Sequence, residues 1–134
     1  MSELIILCGL IGSGKTTYAN KIYKVVTDLD YMSPDSRKID QIMLTLDLLK
    51  TNDTVCHITC YPTELEDLAF KGLKPKMIFI DTSINQCKIN ILTRNRERDM
   101  NNLNGVLSAN VKYDNEVQLN RHRFEFINVF EEKL

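Results

Sequence analysis

Glycine is scarce in this sequence. Five occur among 134 residues, and three of them, Gly9, Gly12 and Gly14, fall within six consecutive positions. A net charge of −1 leaves no broad basic character. A long nucleic-acid backbone is therefore not an expected partner, although a local cluster of arginines can still grip one or two phosphates. No apolar run approaches the roughly 20 residues of a membrane span, so no membrane partner is expected. The four cysteines, Cys8, Cys56, Cys60 and Cys87, include no C-x-x-C pair. Cys56 and Cys60 lie four apart in a strand-like stretch, unlike a zinc knuckle, and reduced buried thiols are expected. The opening MSELIILCGL lacks the basic region of a signal peptide. A cytoplasmic setting, in a cell or in a virus-infected host, is the expectation.

What is present is an ordinary globular balance, 43% hydrophobic and 26% charged, enough for a sizeable core. No repeat or linker divides the chain, so residues 1–134 read as one domain. The clustered glycines belong to GLIGSGKT, residues 9–16. This fits G-x-x-x-x-G-K-[ST], the phosphate-binding loop, with Gly9, Gly14, Lys15 and Thr16 in its fixed positions. Its context agrees. LIILC, Leu4 to Cys8, is a short apolar run of strand type, and KTTYANKIY reads as a helix with Tyr18 and Ile22 on one face. Glycines let the backbone curl so that successive N–H groups converge on one anion, and the helix N-terminus adds its dipole. Gly9, Gly12, Ser13, Gly14, Lys15, Thr16 and Thr17 are thus the expected polyphosphate cradle. Lys15 is expected at the β and γ phosphates, and the Thr16 hydroxyl on Mg²⁺.

Strand and helix patterns then alternate. Val25–Asp28 is a short second strand ending in TDLDY. Ser33 or Asp35 is placed to cap a helix with Ile39, Ile42, Met43, Leu46 and Leu49 at helical spacing. TVCHITC, Thr54–Cys60, reads as a third strand. Thr63 and Glu66 form a T-x-x-E capping box for a short helix closed by Gly72. Lys76–Ile80 reads as a fourth strand. SINQCKINILTRNRERDM reads as a helix with Ile84, Cys87, Ile91 and Leu92 inward. NNLNGVLSANVKYDN, polar and rich in asparagine, reads as a loop or mobile segment before a helix from about Asp114 to His122. RFEFINVF supplies a fifth strand, Phe124 to Phe130, with a helix continuing through Leu134 as its rival. The alternation implies an α/β fold of three layers, α/β/α, around a parallel sheet of five strands. Ligands then sit at the carboxyl ends of the strands.

With these elements in place the chain resembles the small P-loop kinases, the group that holds nucleoside monophosphate kinases and phage polynucleotide 5′-kinases. The likeness covers roughly residues 3 to 98 and rests on GLIGSGKTT, TDLDY and FIDTSINQCKINILTRNRER. It implies a P-loop NTPase fold, ATP (or GTP) with Mg²⁺, and γ-phosphoryl transfer to a nucleotide, a nucleoside or a nucleic-acid 5′ end. It also implies an acid facing the attacking hydroxyl, supplied by Asp28 or Asp30, with Arg37 or Lys38 close behind for a substrate phosphate. Arg94, Arg96 and Arg98 match an arginine-bearing lid, here reduced to about residues 94–110. On a helix they fan out by about 100° per residue, so they cannot all aim at one ligand. Arg121 or Arg123 stands before the last strand, where relatives cover the adenine. Two departures stand out. HITCYP ends the third strand on Thr59, where relatives often carry an acid that helps to hold Mg²⁺. Asp81 has the pattern of a metal-holding aspartate, but its place on the fourth strand, where relatives often carry a structural aspartate, favours a structural role over a metal one. His57 reads as a packed core residue. A different class of function, a P-loop nucleotide-binding module with weak hydrolysis, fits the missing acid and the short chain.

Overall fold

The computed structural model describes residues 2–129. Its central strand, β1 (Glu3–Cys8), is buried at every position after the first. Helices cover both faces of the sheet, and strands buried in this way read as continuous apolar runs. Leu4, Ile6 and Cys8 point to one side, against Ile42, Phe70, Cys87 and Val117. Ile5 and Leu7 point to the other, against Ala19. Each such side chain stabilises the fold by about 1.5–3 kcal/mol.

The remaining strands are β2 (Val26–Asp28), β3 (Thr54–Ile58), β4 (Lys76–Ile80) and β5 (Glu125–Ile127). The order is β2-β3-β1-β4-β5 and every pairing is parallel. Leu7 lies opposite Ile58 on one side and Ile78 on the other. Six α-helices connect the strands among the described residues: α1 (Lys15–Ile22), α2 (Lys38–Leu49), α3 (Glu64–Phe70), α4 (Ile84–Arg94), α5 (Glu97–Asn101) and α6 (Leu103–Leu119). The expected α/β architecture with a five-stranded parallel sheet is present. No helix among the described residues is long and apolar enough to cross a membrane.

Several local expectations are corrected. The asparagine-rich stretch is not a loop: it forms most of α6, and the helix ends at Leu119 before a 3₁₀ turn at Arg121–Arg123. Its inward stripe, Leu103, Val106, Leu107, Asn110, Tyr113 and Val117, has helical spacing, but a polar residue at its centre hides it. The helix that begins at Ile84 does not run on to Met100. Asn95 adopts the left-handed conformation, φ 50°, and ends it, as asparagine tolerates at a helix C-terminus. Arg37, not Ser33 or Asp35, precedes α2, and its N–H donates to the Asp40 carboxylate at 2.8 Å. Met43, Leu92 and Ile22 are exposed. Gln41, Ile42 and Thr45 form the buried face of α2. Ile42, with Leu46 and Leu49, meets the aliphatic core, while Gln41 and Thr45 join a polar network with Thr27 and His57. A 3₁₀ turn, Lys71–Leu73, takes up Gly72 after α3. β3 stops at Ile58. β5 takes only Glu125–Ile127 of the expected strand, and Phe130 lies outside the described residues.

Candidate functional site

At the carboxyl ends of β1, β2 and β3 lies a cleft of about 450 Å³. The loop between β1 and α1 forms its floor. Gly14 is left-handed, φ 96°, and the first backbone bond of α1 runs from Tyr18 N–H to Gly14 C=O. The N–H groups of Lys15, Thr16 and Thr17 precede it and have no helical acceptor. Gly12 is also left-handed, φ 82°, and a Cβ there would lie 2.8 Å from the Cys87 carbonyl oxygen and 3.0 Å from Ile91 Cγ1. Backbone strain and overpacking then act together, so Gly12→Ala is expected to lower stability by about 2–4 kcal/mol. A urea unfolding curve with the wild-type midpoint would disprove that close seating of the loop on α4.

Gly9, Gly12, Ser13, Gly14, Lys15, Thr16 and Thr17 were expected as the cradle, and all but Gly9 line the cleft. Gly9 stands behind it, where a Cβ would collide with Ser13 Oγ. That oxygen is buried and, among the described residues, is the one buried side-chain polar atom without a hydrogen-bond partner. The N–H groups at the start of α1, without helical acceptors, suit a bound anion; the Ser13 hydroxyl lies behind them, against Gly9. The Lys15 ammonium donates to the carbonyl oxygens of Gly9 and Leu10, each at 2.9 Å.

The two acids of TDLDY separate clearly. Asp28 ends β2, and both of its carboxylate oxygens are engaged. Oδ2 accepts from the Thr16 hydroxyl at 2.8 Å, and Oδ1 accepts from the Asp30 N–H at 3.0 Å. Asp30 lines the cleft with no such tie; its partner is Arg98, at 3.3 Å, across an exposed pair that contributes little. Arg94 lines the cleft and is held by Asp99 at 2.9 Å. Arg96 also lines it and reaches the Tyr31 hydroxyl at 3.4 Å. Arg98 does not line it.

Other expected residues lie elsewhere. Asp81 is exposed after β4 and away from the cleft; its neighbour Thr82 does the local work, donating its hydroxyl to the Ser13 carbonyl at 2.8 Å. Arg121 lies 4.0 Å above the Phe126 ring and donates to Gln118. Arg123 pairs with Asp67 at 2.8 Å. Neither arginine lines the cleft, although Arg123 donates to the hydroxyl of Tyr61, which does, at 3.4 Å. Arg37 is turned to solvent beside Asp40. Lys38 does line the cleft, but its ammonium donates to Gln41 at 3.0 Å and Thr59 at 3.3 Å and forms an ion pair with Glu66 at 3.4 Å.

Glu66 does more than close the capping box of α3. It is fully buried. Its Oε1 accepts from the Thr59 hydroxyl at 3.1 Å and from the Thr63 N–H at 3.0 Å. Its Oε2 accepts from His57 Nε2 at 2.5 Å. Burial pushes the carboxyl up, but the His57 bond, the Lys38 ammonium and the Thr63 amide outweigh it and bring the pKa down to about 2. Burial pushes His57 the other way, below 6.5 and against the pull of Glu66. A neutral imidazole donating from Nε2 to an ionised carboxylate satisfies both shifts, and Nδ1 then accepts from the Thr45 hydroxyl at 2.7 Å. His57 is therefore a core residue, as expected. Burial raises the thiol pKa of Cys56 and Cys87 to about 12, which keeps both protonated and unreactive.

No protein-family model matches the chain, and no curated protein matches it. A gluconokinase from Sinorhizobium meliloti 1021 is similar in structure, with a TM-score of 0.56 and 12% sequence identity, over 98% of this chain and 84% of that one. The likeness establishes a shared fold. The site must argue its own chemistry.

The residues present fit a magnesium-bound nucleoside triphosphate. The amides at the start of α1 and the Lys15 ammonium suit its phosphates. No group of three or more His, Cys, Asp or Glu residues among the described residues forms a metal cage. A magnesium ion here would be held by the Thr16 hydroxyl, phosphate oxygens and water, with Asp28 behind.

Proposed function

We propose that this chain is an ATP-dependent phosphotransferase that moves the γ-phosphoryl group to a hydroxyl of a nucleoside, a nucleotide or a polynucleotide 5′ end. The observation that carries the proposal is the division of labour between two carboxylates in one cleft. Asp28 is tied to the loop hydroxyl that serves the metal. Asp30, two residues on, is held only by its exposed pair with Arg98 and can turn to an acceptor. Magnesium, when bound, neutralises charge on the transferring group. In this reading Asp30 orients the acceptor hydroxyl and takes its proton as the new O–P bond forms and the bond to the departing diphosphate breaks. Lys15, Arg94 and Arg96 supply positive charge. Asp99 fixes Arg94 in place, which spares its reorganisation during the reaction. GTP remains an alternative donor, and reduced thiols suit a cytoplasmic setting.

The test is ATP turnover with and without nucleosides, nucleotides and 5′-hydroxyl oligonucleotides. Gluconate belongs in the panel, because the structural neighbour's name places it among kinase acceptors. Asp30→Asn is expected to slow transfer by about 10²–10⁴-fold with nucleotide affinity preserved. Transfer at the wild-type rate would remove Asp30 from the mechanism. The competing reading, a nucleotide-binding module, draws on Thr59, whose hydroxyl stands at the end of β3 in place of a carboxylate. A module shows the same slow hydrolysis whichever acceptor is added.

A further inference from the structure

We infer that Asn110 is a positioning residue for the polyphosphate: from α6 it fixes the shape of the glycine-rich loop, and the loop's affinity for phosphate depends on it. The inference rests on the nucleotide-binding reading of the loop. Asn110 is 1% exposed and occupies a position of α6 where an apolar side chain would otherwise pack. Its amide meets both polar groups of a single loop residue. Ile11 N–H donates to Oδ1 at 2.7 Å, and Nδ2 donates to the Ile11 carbonyl at 3.0 Å. A side chain 99 residues distant in sequence thus pairs with the loop as a neighbouring strand would.

The consequence is electrostatic. In a planar trans peptide the C=O and the following N–H point in opposite directions. Asn110, by holding the Ile11 carbonyl oxygen, therefore turns the Gly12 N–H the other way, towards the cleft, while the Ile11 and Ser13 N–H groups are spent on Asn110 and the Leu10 carbonyl. Every carbonyl from Gly9 to Gly14 has a donor. Lys15 serves Gly9 and Leu10, Asn110 serves Ile11, and Asn90 serves Gly12. Thr82 serves Ser13, and the Tyr18 N–H serves Gly14. Asn110 alone among these side chains holds both groups of one residue. Without it the Ile11 peptide is free to turn its carbonyl oxygen inward, where it repels a phosphate. It would also leave two buried backbone groups unpaired.

The test uses magnesium tripolyphosphate, which has no base or sugar, titrated calorimetrically into the full chain. Asn110→Ala and Asn110→Ser are both neutral, and neither spans the two Ile11 groups. Each is expected to weaken binding at least tenfold. Ile42→Val, a core change on α2, serves as a stability control: it is expected to lower the melting temperature and leave the affinity alone. If alanine prevents folding, the serine variant carries the test. Wild-type affinity in a folded Asn110 variant overturns the inference, as does an equal loss in the Ile42 control. Wild-type affinity in Lys15→Ala as well would instead remove the nucleotide-binding reading beneath it.

Discussion

Lys15→Ala is expected to weaken triphosphate binding about 10–100-fold and to abolish measurable phosphoryl transfer. The first figure follows from charge-assisted hydrogen bonds worth about 1.5–3 kcal/mol. The second follows because removing one preorganised donor at a developing charge slows a reaction by about 10²–10³-fold. The surroundings of Lys15 favour an effect near the upper end. Its ammonium rests on the carbonyl oxygens of Gly9 and Leu10, with Cys60 Sγ at 3.7 Å. None of these neutralises it, and no carboxylate among the described residues pairs with it. A cation without a counter-ion, half-buried at the mouth of a helix dipole, is available to an anionic ligand at little cost in broken ion pairs. Displacement of a fluorescent nucleotide analogue measures the binding, and single-turnover transfer measures the chemistry. Unchanged affinity in the alanine variant would exclude the loop as a polyphosphate site, and with it the metal role of Thr16.

The loop and the sheet were legible in the sequence because each obeys a short-range rule. Glycines at fixed spacing between an apolar run and a helix announce a phosphate loop wherever they occur, and β1 is apolar on both faces because both faces are covered. The T-x-x-E pattern at Thr63 likewise set the start of α3 at Glu64. What was hidden involves polar residues used over long range. Asn110 sits in the inward stripe of α6, where an asparagine disguises the helical period and makes the segment look like a loop. Its reason for being there is Ile11, far away in sequence. The resemblance puts Arg121 or Arg123 near the adenine; Arg121 lies over the Phe126 ring and Arg123 pairs with Asp67, contacts that no local pattern announces. The two acids of TDLDY were visible as a pair, but only the Thr16 hydroxyl on Asp28 distinguishes them. Glu66 was visible as a capping residue. That it also anchors the far wall of the cleft depends on His57, Lys38 and Thr59 converging from other elements.

Glu66→Ala is expected to destabilise the fold by about 3–5 kcal/mol, the range for removing one partner of a buried ion pair. That is a large part of the roughly 5–15 kcal/mol by which domains of this kind are stable. The side chain, on α3, ties together three other parts of the fold. It takes donors from β3 through His57, from the cleft wall through Thr59 and Thr63, and from α2 through Lys38. Its removal leaves a half-buried ammonium without a counter-ion and several buried polar groups without acceptors. The effect has a pH signature with a definite sign. In the unfolded chain the carboxyl titrates near 4.5, whereas in the folded protein it titrates near 2. Its stabilisation is therefore full above pH 4.5 and lost as the pH falls towards 2. His57 is held below its unfolded value of 6.5, so the unfolded state takes up protons first, and stability also declines as the pH drops below 6.5. Wild-type protein is then expected to weaken in two stages on acidification. Glu66→Ala should lose the stage between pH 4.5 and 2 and keep the one below 6.5. Urea unfolding at a series of pH values reads both. A loss under about 1 kcal/mol at neutral pH, with the acid stage intact, would show that the carboxylate is dispensable. In that case Lys38 and Thr59 would owe their places in the cleft wall to packing alone.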